Sequence, residues 1–406
     1  MSIQPFDSNR IVPEAFLRVD DYVDSFQIIK DVETKCLYGY CDPNIVPWIS
    51  VIIPTYNRAM TIYEALESVL KQSEVDFLWE ILVVDNTPLD EAGSTPILDV
   101  IRQSGDERIQ YYHNETNIGP GYNWNRGVEL ARGEWICFLH DDDVLCRDAL
   151  QQIGCLLKNG RKAKKNLGYL NARRVDFKDC FGEHLSRDFR RYPQEHLTRF
   201  GALICGHTGA GAPTCGTTIL KKAYIEAGGI NYDFGPSADA VLCYQIMRDY
   251  AVVNTDCVIG GYRWNENATL SAQSLLNFIR SDDLLMTYAY RQGRFAGLWG
   301  WLFGDAISWR NVWRKNNIAQ EFQIAVTHAD FAAASLYAEP GKVKKAVYLT
   351  LYAVYRLGRQ TIGWLDLERR RIKSLFGLKN GRLALKDTKR GDSPSTDKQD
   401  IPVIRK

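Results

Sequence analysis

Short apolar runs alternate with amphipathic segments from residue 49 onward. "ISVII" at 49–53 is rich in β-branched residues, whereas "TIYEALESVLKQ" at 61–72 carries apolar side chains at helical spacing. Apolar runs of this length are typical of buried strands, and their alternation with helices predicts βαβ units around a parallel sheet. The predicted strands are 49–53, 80–85, 108–113 and 134–139, and the predicted helices are 61–72, 96–104 and 122–132.

The segments that follow the four predicted strands are all polar. Right-handed crossovers bring the carboxyl ends of parallel strands to one edge of the sheet, where ligands bind in open α/β folds. One polar loop is explained by solvation alone, but four at the same edge favour a nucleotide-binding site. These segments are "PTYNR" (54–58), "VDNT" (84–87), "NETNIGPG" (114–121) and "HDDD" (140–143).

Two common nucleotide-binding motifs do not occur in the sequence. The first βα turn has no GxGxxG, and nothing matches GxxxxGK[ST], which argues against a dinucleotide dehydrogenase and a P-loop enzyme. The glycine-rich "GHTGAGAPTCG" at 206–216 has neither the spacing nor the lysine. It is interpreted as a loop lining a pocket or as a simple turn, and both interpretations stay open.

Three consecutive carboxylates, Asp141, Asp142 and Asp143, follow the fourth predicted strand. Adjacent carboxylates repel and raise each other's pKa unless positive charge lies between them. A bound divalent cation would supply that charge, because Mg²⁺ and Mn²⁺ prefer oxygen ligands. A turn that directs the three side chains into water would explain the same residues, so the pattern alone leaves both interpretations open.

Several segments together resemble family 2 glycosyltransferases. They read "VIIPTYNR", "ILVVDN", "NIGPGYNWNRGVELARGEWICFLHDDDVL" and "GGINYDFGPSADAVL", in the family's order and at its intervals, within residues 48–270. The resemblance implies a GT-A (nucleotide-diphospho-sugar transferase) fold, in which a mostly parallel sheet is flanked by helices. It also implies a metal-dependent, inverting transfer of a sugar from a nucleotide-sugar donor to a hydroxyl of a glycan or glycolipid acceptor.

The resemblance also assigns residues to the donor. Asp85 matches an aspartate that binds the base edge, although an aspartate after a strand also commonly caps the next helix. Asp141 would lie near the ribose and pyrophosphate, and glycine at 119 would allow close approach of the backbone to the base. The expected nucleotide-sugar-binding residues are Pro54, Thr55, Tyr56, Asn57, Arg58, Asp85, Asn86, Asn117, Gly119 and Asp141.

The same resemblance answers the question of the three carboxylates. Asp142 matches the family's metal ligand, and Asp143 is expected as a further ligand of Mn²⁺ or Mg²⁺. His140 stands where the family signature has its first aspartate, which is a departure from the pattern.

An inverting transfer requires a base that takes the proton of the acceptor hydroxyl. Asp239 matches the aspartate of the family's "ED" pair, while Ala238 replaces the glutamate; Asp233 is the second candidate. A carboxylate that only stabilises a helix N-terminus is the structural alternative for Asp239. Further on, Asn265 replaces a family histidine, and Arg263 is interpreted either as a phosphate contact or as a surface arginine.

Composition and charge narrow the cellular setting. The 406 residues carry a formal net charge of +1, which gives no global argument for nucleic-acid binding. None of the ten cysteines forms a CxxC pair, so we expect no structural zinc and interpret them as reduced thiols of a cytoplasmic protein. The polar start and the lack of a run of about 20 apolar residues predict neither a signal peptide nor a transmembrane helix.

The two ends of the chain lie outside the family resemblance. Residues 1–47 are expected to be a partly helical N-terminal extension, and residues 387–406 a disordered tail. Residues 271–386 are expected to be helical, with tryptophans at 295–315 and a basic amphipathic pattern at 342–377. That pattern suits peripheral contact with an anionic membrane on the inner face of the cell membrane. A helix packed on the catalytic domain explains it equally well.

Other functional hypotheses remain beside the glycosyltransferase, whose commonest setting in the family is bacterial surface polysaccharide synthesis on lipid-linked acceptors. A nucleotidyltransferase would use a similar sheet, but "PTYNRAMT" does not provide the glycine-rich phosphate loop expected of it. A catalytically silent nucleotide-sugar-binding or scaffold protein is favoured by His140, Ala238 and Asn265. It is disfavoured by the intact Asp142 and Asp239.

Overall fold

A mixed sheet of ten strands lies at the centre of the computed structural model. The strands are β1 (Thr34–Tyr38), β2 (Ile49–Thr55), β3 (Trp79–Asp85), β4 (Ile109–Asn114), β5 (Trp135–Phe138), β6 (Val144–Leu145), β7 (Leu167–Phe177), β8 (Gln194–Leu197), β9 (Thr218–Leu220) and β10 (Ala251–Arg263). Their order is β1-β4-β3-β2-β5-β9-β7-β10-β6, with β8 paired to β10. The structure describes residues 10–40, 42–163, 166–181, 194–205, 215–264 and 270–375.

Helices cover both faces of this sheet. They are α1 (Ala59–Leu70), α2 (Pro96–Ser104), α3 (Pro120–Leu130), α4 (Ala149–Ala163), α5 (Arg199–Cys205), α6 (Lys221–Glu226), α7 (Ala238–Ile246), α8 (Ala272–Tyr290), α9 (Arg294–Glu321), α10 (His328–Ala334) and α11 (Lys342–Leu375). The α/β architecture with helices after the sheet is therefore confirmed.

The four strands predicted from the apolar pattern are β2 to β5. They run parallel in the order β4-β3-β2-β5, and their observed ends lie within two residues of the predicted ones. All seven residues of β2 are buried, which explains why its sequence is mostly apolar. Side chains along β2 alternate between two cores: Val51 packs with Ile62 and Ile97 of α1 and α2, and Ile52 packs with Val128 of α3.

The second half of the sheet is mixed. Strand β9 lies antiparallel between β5 and β7, and β10 runs parallel to β7. Strands β6 and β8 pair antiparallel with β10, and β1 closes the other edge antiparallel to β4. Strand β6 directly follows the three carboxylates and pairs with the end of β10. This pairing fixes the position of the chain immediately after Asp143.

The N-terminal extension packs without an α-helix in its described part. The sequence predicts a partly helical segment, and its described helical turns are two 3₁₀ helices, Pro13–Arg18 and Ser25–Ile28. Asp20 lies between them and forms an ion pair with Arg199 at the start of α5, and it accepts a hydrogen bond from the Tyr288 hydroxyl of α8 (2.6 Å). The extension therefore fastens elements that come much later in the chain.

The C-terminal region is helical, as the sequence predicts. Helices α9 and α11 meet where Tyr348, which is fully buried, lies beside Phe303, and where Arg310 stacks 4.4 Å from the ring centre of Tyr352. Within the part of the chain that the structure describes, no helix has the length and apolar character needed to cross a bilayer. The first of two compact units ends at Leu367, and the described part of the second is the end of α11.

Some sequence predictions concern residues outside those that the structure describes. Residues 206–214, Asn265 and the tail at 387–406 lie outside the described residues. The domain boundaries after residues 47, 270 and 386 stay predictions.

Candidate active site

The carboxyl ends of β2, β3 and β4 are joined by a chain of buried amide side chains. Asn114 donates from Nδ2 to Oδ1 of Asn86 (2.8 Å) and of Asn123 (2.9 Å). Asn123 donates to the carbonyl of Val84 (2.7 Å), and Asn86 donates to the carbonyl of Gly119 (3.3 Å). Since a buried amide left unpaired is destabilising, this network fixes the strand ends relative to one another.

Asp85, at the end of β3, is fully buried and bonded by protein groups. Its Oδ1 accepts from the N–H of Thr87 (2.7 Å), and its Oδ2 accepts from the hydroxyls of Tyr111 (2.6 Å) and Thr95 (3.2 Å). Burial raises the pKa of Asp85, against the opposing effect of these hydrogen bonds. Thr95, not Asp85, caps α2 by accepting from the N–H of Leu98 (3.0 Å). Asp85 therefore holds both the loop after β3 and the residue that caps α2.

The loop after β2 turns out of the core toward solvent. Pro54 and Thr55 are buried, whereas Tyr56 is 45% exposed and Asn57 is exposed. Asn57 has φ +54°, a left-handed conformation that asparagine tolerates better than most residues. Its N–H donates to the Thr87 hydroxyl (2.8 Å), so the loops after β2 and β3 are joined.

The loop before α3 contains two of the predicted nucleotide-sugar-binding residues, of which one is exposed and the other is buried. Asn117 is exposed, and its Oδ1 accepts from the N–H of Gly119 (2.8 Å). Gly119 has φ +83° and directly precedes Pro120, the first residue of α3, so a side chain at this position would be strained. Farther into α3, the N–H of Gly121 donates to the hydroxyl of Tyr232, which connects this loop to the segment before α7.

The acidic segment, residues 140–143, follows β5 at the same edge of the sheet. Asp141 is 9% exposed and its Oδ2 accepts from the Thr55 hydroxyl (2.6 Å). Burial raises the pKa of Asp141 to about 7; the Thr55 hydrogen bond and the charge of Arg58 act to lower it, and the charge of Asp142 acts to raise it. The residue is therefore held against the end of β2.

Asp142 is paired with a cation from the loop after β2. It is 7% exposed, and its Oδ2 accepts from Arg58 Nη1 at 2.9 Å. The Arg58 side chain is about one-third exposed, so it contacts solvent as well as the carboxylate. Positive charge thus lies beside the middle carboxylate, which reduces the repulsion within the acidic segment.

Asp143 is fully buried and faces His140. Its Oδ1 accepts from the N–H of Arg263 (3.0 Å), and its Oδ2 lies 3.5 Å from His140 Nδ1. Burial and the neighbouring Asp142 raise the pKa of Asp143 well above its usual value. Among the described residues no group donates a hydrogen bond to this Oδ2 within normal geometry. A buried carboxylate oxygen in that state fits a ligand of a cation.

Arg263 braces the acidic segment from β10. It is 6% exposed and donates from Nε to the carbonyl of Asp142 (2.9 Å), and it also forms an ion pair with Glu64 of α1. A third contact runs to the carbonyl of Asp179 (2.9 Å). The interpretation of Arg263 as a surface arginine is therefore wrong. Its guanidinium faces protein groups on three sides and holds the segment in place.

Three side chains of the acidic segment could bind one metal ion. His140, Asp142 and Asp143 each offer a ligand atom, and these atoms lie within 4.8 Å of one another. One imidazole nitrogen with two carboxylate oxygens is a donor set that suits Mn²⁺ and related divalent ions. The sequence predicts the two aspartates; the geometry adds His140, whose signal in the sequence is its place immediately before three carboxylates.

Asp239 occupies the first turn of α7, as expected. Its Oδ1 accepts from the N–H of Ala240 (2.5 Å), and burial raises the pKa of its carboxyl to about 6. In the described residues no hydrogen bond joins Asp239 to the acidic segment, and its charged neighbours, Asp282 and Lys315, come from α8 and α9. Asp233, the second candidate, lies on the 3₁₀ helix before α7, is 41% exposed and pairs with Arg10 at 3.5 Å.

The family model of glycosyl transferase family 2 matches residues 50–163. This stretch begins in β2 and ends with α4, so it contains the parallel strands, their loops and the whole acidic segment. Residues 50–163 form a family 2 glycosyl transferase domain.

Two curated relatives extend this comparison. Over 150 residues the chain is 34% identical to the GalNAc(5)-diNAcBac-PP-undecaprenol beta-1,3-glucosyltransferase of Campylobacter jejuni. The aligned segment covers 36% of this chain and 42% of that protein. Over 223 residues the chain is 40% identical to an uncharacterized protein of Mycobacterium tuberculosis. This aligned segment covers 51% of this chain and 64% of that protein. The chain therefore spans less than two thirds of the length of either relative.

A solved structure with a similar arrangement is that of Staphylococcus aureus TarS, residues 1–349. The match has a TM-score of 0.48 and 16% sequence identity, and covers 82% of this chain and 93% of that one.

The family 2 domain contains only part of the residues described above. All the predicted nucleotide-sugar and metal residues fall within 50–163, whereas Arg263 and Asp239 are supplied by β10 and α7. Arg263, which braces the acidic segment, and Asp239, the candidate base, therefore both lie outside the family 2 domain.

Proposed function

We propose that this protein transfers a sugar from a nucleotide-sugar donor to a hydroxyl of a glycan or lipid-linked glycan. The observation that carries the proposal is the acidic segment at the end of β5, which lies in a family 2 domain beside the ends of β2 to β4. Thr55 and Arg58 hold its carboxylates from one side, and Arg263 holds them from the other. Ligands of open α/β folds bind at this edge.

The nucleotide would bind along the loops after β2, β3 and β4. Tyr56, Asn57 and Asn117 are exposed there and offer an aromatic ring and amide groups for the base and ribose. Asp85 and Asn86 are buried, so we assign them the role of shaping these loops around the base, Asp85 through Thr87 and Asn86 through Gly119. Asp141 would lie beside the ribose and pyrophosphate.

A divalent cation fits the donor atoms of His140, Asp142 and Asp143. The unbonded Oδ2 of Asp143 and the close approach of the three ligand atoms support this assignment. The chemistry that such a cation supplies is Lewis-acid stabilisation of the departing nucleoside diphosphate. Arg58 adds a second positive charge next to Asp142 and is positioned to meet a phosphate oxygen.

Asp239 is the proposed general base of an inverting transfer. Above pH 6 its carboxylate is ionised and accepts the proton of the acceptor hydroxyl. The hydroxyl oxygen forms the new bond to the anomeric carbon, while the bond from that carbon to the phosphate oxygen breaks. The nucleoside diphosphate leaves with the bonding electrons, so the transfer needs no further reactant.

The acceptor is proposed to be a lipid-linked glycan used in bacterial surface polysaccharide synthesis at the inner face of the cell membrane. The Campylobacter relative carries a polyprenyl diphosphate-linked glycan in its name, which supports this class of acceptor. Exposed apolar side chains on α11, among them Val343, Val347, Val354 and Leu357, are accompanied by exposed Lys342 and Arg356. We therefore also propose peripheral contact of α11 with an anionic membrane.

The experiment is a donor screen with the full chain. UDP-glucose, UDP-N-acetylglucosamine, UDP-galactose and GDP-mannose are incubated with Mn²⁺, with Mg²⁺ or with EDTA, and release of nucleoside diphosphate is measured. We expect turnover of at least one donor with metal and none with EDTA. Donor binding in calorimetry without any release, in all metal conditions, would instead identify a catalytically silent binding protein.

A further inference from the structure

The segment that carries Asp239 is held by the helical region that follows the catalytic sheet. Ser237, the residue before α7, donates from its hydroxyl to Asp282 Oδ1 at 2.8 Å, and its oxygen lies 2.7 Å from the hydroxyl of Ser281. Both partners belong to α8. Asp239 comes two residues after Ser237, so α8 fixes the point from which the first turn of α7 begins.

Helix α9 adds a cation to the same place. The ammonium of Lys315 lies 3.7 Å from the ring centre of Phe278, and Phe278 and Asp282 are four residues apart on one face of α8. Lys315 therefore approaches the face of α8 that carries Asp282. Burial lowers the pKa of Lys315, while the charges of Asp282 and Asp239 act to raise it.

The charges around Asp239 come from several elements. Asp282 of α8 disfavours its ionised form, and Lys315 of α9 favours it. Arg314 adds positive charge beside Asp282, and the phenols of Tyr169 on β7 and Tyr232 before α7 also face Asp239. Asp239, Asp282 and Lys315 are each intermediate in exposure as whole residues, while burial is the largest influence on the pKa of each charged group.

We propose that Asp282 and Lys315 are positioning residues for Asp239, so that α8 and α9 form part of the catalytic centre. Asp282 anchors the start of α7 through Ser237, and Lys315 balances the two carboxylates. This inference rests on the proposed role of Asp239 as the base. It gives the helices after the family 2 domain a function that does not depend on contact with a membrane.

The two positioning residues act on Asp239 with opposite sign. Removing the negative charge of Asp282 makes ionisation of Asp239 easier, so the acidic limb of the pH profile moves to lower pH. Removing the positive charge of Lys315 makes ionisation harder, so the same limb moves to higher pH. A role in folding alone would lower activity in both variants and would not move the limb in two directions.

The test is the pH dependence of kcat/KM for Asp282→Asn and Lys315→Met in the full chain. The probe is hydrolysis of whichever of UDP-glucose, UDP-N-acetylglucosamine, UDP-galactose and GDP-mannose the wild type turns over fastest, with Mn²⁺. We expect opposite shifts of about 0.5 pH unit or more in the two variants. Donor affinity should stay unchanged, because the nucleotide residues lie on other elements. Lys315→Arg should restore the wild-type profile.

Matched controls remove the same charges from exposed positions on these helices. Glu321→Gln removes a negative charge from the end of α9, and Arg280→Gln removes a positive charge from α8. Neither should move the limb. No shift, or shifts in the same direction for Asp282→Asn and Lys315→Met, would overturn the inference.

Failure of the proposed function gives a different result. If the wild type turns over none of the four donors, the glycosyltransferase proposal fails. The positioning proposal is then judged by the carboxyl ¹³C titration of Asp239, assigned by difference from Asp239→Asn. Opposite shifts in Asp282→Asn and Lys315→Met would support the coupling, and an unchanged midpoint would refute it.

Discussion

Replacing Asp239 by Asn tests the proposed base most directly. The substitution keeps the size of the side chain and its ability to accept from the N–H of Ala240, but it removes the ability to take up a proton. With a pKa of about 6, the wild-type carboxyl is about nine-tenths ionised at pH 7 and about one-tenth ionised at pH 5. Wild-type transfer should therefore fall about tenfold for each pH unit below 6.

The expected loss in Asp239→Asn is about 10²–10⁴-fold in kcat at pH 7, the usual contribution of a general base. This corresponds to about 2.7–5.4 kcal/mol in the activation free energy. The variant should also lose the acidic limb of the profile, because no carboxyl titrates at that position. Donor affinity should stay close to wild type, since the proposed nucleotide residues lie on β2 to β5 and their loops.

The assay pairs two measurements on each protein. Calorimetry gives the affinity for the donor, and a product assay gives the rate of sugar transfer or donor hydrolysis between pH 5 and pH 8. Asp233→Asn is the matched control, because Asp233 is a nearby carboxylate that is 41% exposed and paired with Arg10. Near-normal transfer by Asp239→Asn, together with a large loss in Asp233→Asn, would move the base to Asp233. A joint fall in thermal stability and donor affinity would indicate only a structural role for Asp239.

Three further predictions concern the metal, the membrane and a buried carboxyl. Asp142→Asn should lower metal-dependent turnover at least about 10²-fold with the fold retained, because a neutral amide is a poor ligand for a divalent cation. Val347→Asp combined with Val354→Asp should weaken binding to phosphatidylglycerol vesicles about tenfold or more while donor hydrolysis persists. Asp283→Asn should leave the free energy of unfolding nearly unchanged below pH 4 and raise it relative to wild type above pH 6.

The sign of the last prediction follows from burial. The pKa of Asp283 is raised to about 6 in the folded protein, against an unfolded value near 3.8. The folded state therefore binds the proton of Asp283 more tightly than the unfolded state does. As the pH rises from about 4 to about 6, the wild type loses the part of its free energy of unfolding that comes from this proton. Its Oδ2 accepts from Ser308, Ser335 and the N–H of Leu336, each at 2.9 Å, and asparagine can retain an acceptor there. Urea unfolding at pH 4 and pH 7 measures the difference.

Each of these predictions has an outcome that contradicts it. Full wild-type activity in EDTA, or turnover by Asp142→Asn with undiminished dependence on Mn²⁺, would remove the metal assignment. Unchanged vesicle binding by the α11 double variant would favour a helix whose basic side is simply solvated. These substitutions are preferable to deletion of α11, which would also remove the fully buried Tyr348 from the core. Equal stabilities of wild type and Asp283→Asn at both pH values would contradict the burial argument.

The sequence by itself determined the parallel half of the sheet. Strands β2 to β5 are almost entirely buried, so short and mostly apolar runs mark them, and the predicted strand ends lie within two residues of the observed ones. Once these strands are parallel, their carboxyl ends must share an edge. The sequence therefore implied that Thr55 and Asp141 lie at the same edge of the sheet, and the observed pairing of β5 with β2 brings them into contact.

The tertiary structure alone decided how the individual groups are used. In the sequence Asp85 resembles any aspartate at the end of a strand. In the structure its carboxylate is buried and accepts hydrogen bonds from the hydroxyls of Thr95, which caps α2, and of Tyr111 in β4. No local sequence pattern encodes these contacts. Arg263, Asp282 and Lys315 reach their places only through the pairing of β10 and the packing of α8 and α9. Burial, charge pairing and metal-ligand geometry depend on side chains that meet across long sequence separations. A linear pattern fixes which elements form, whereas their packing fixes which charges face one another.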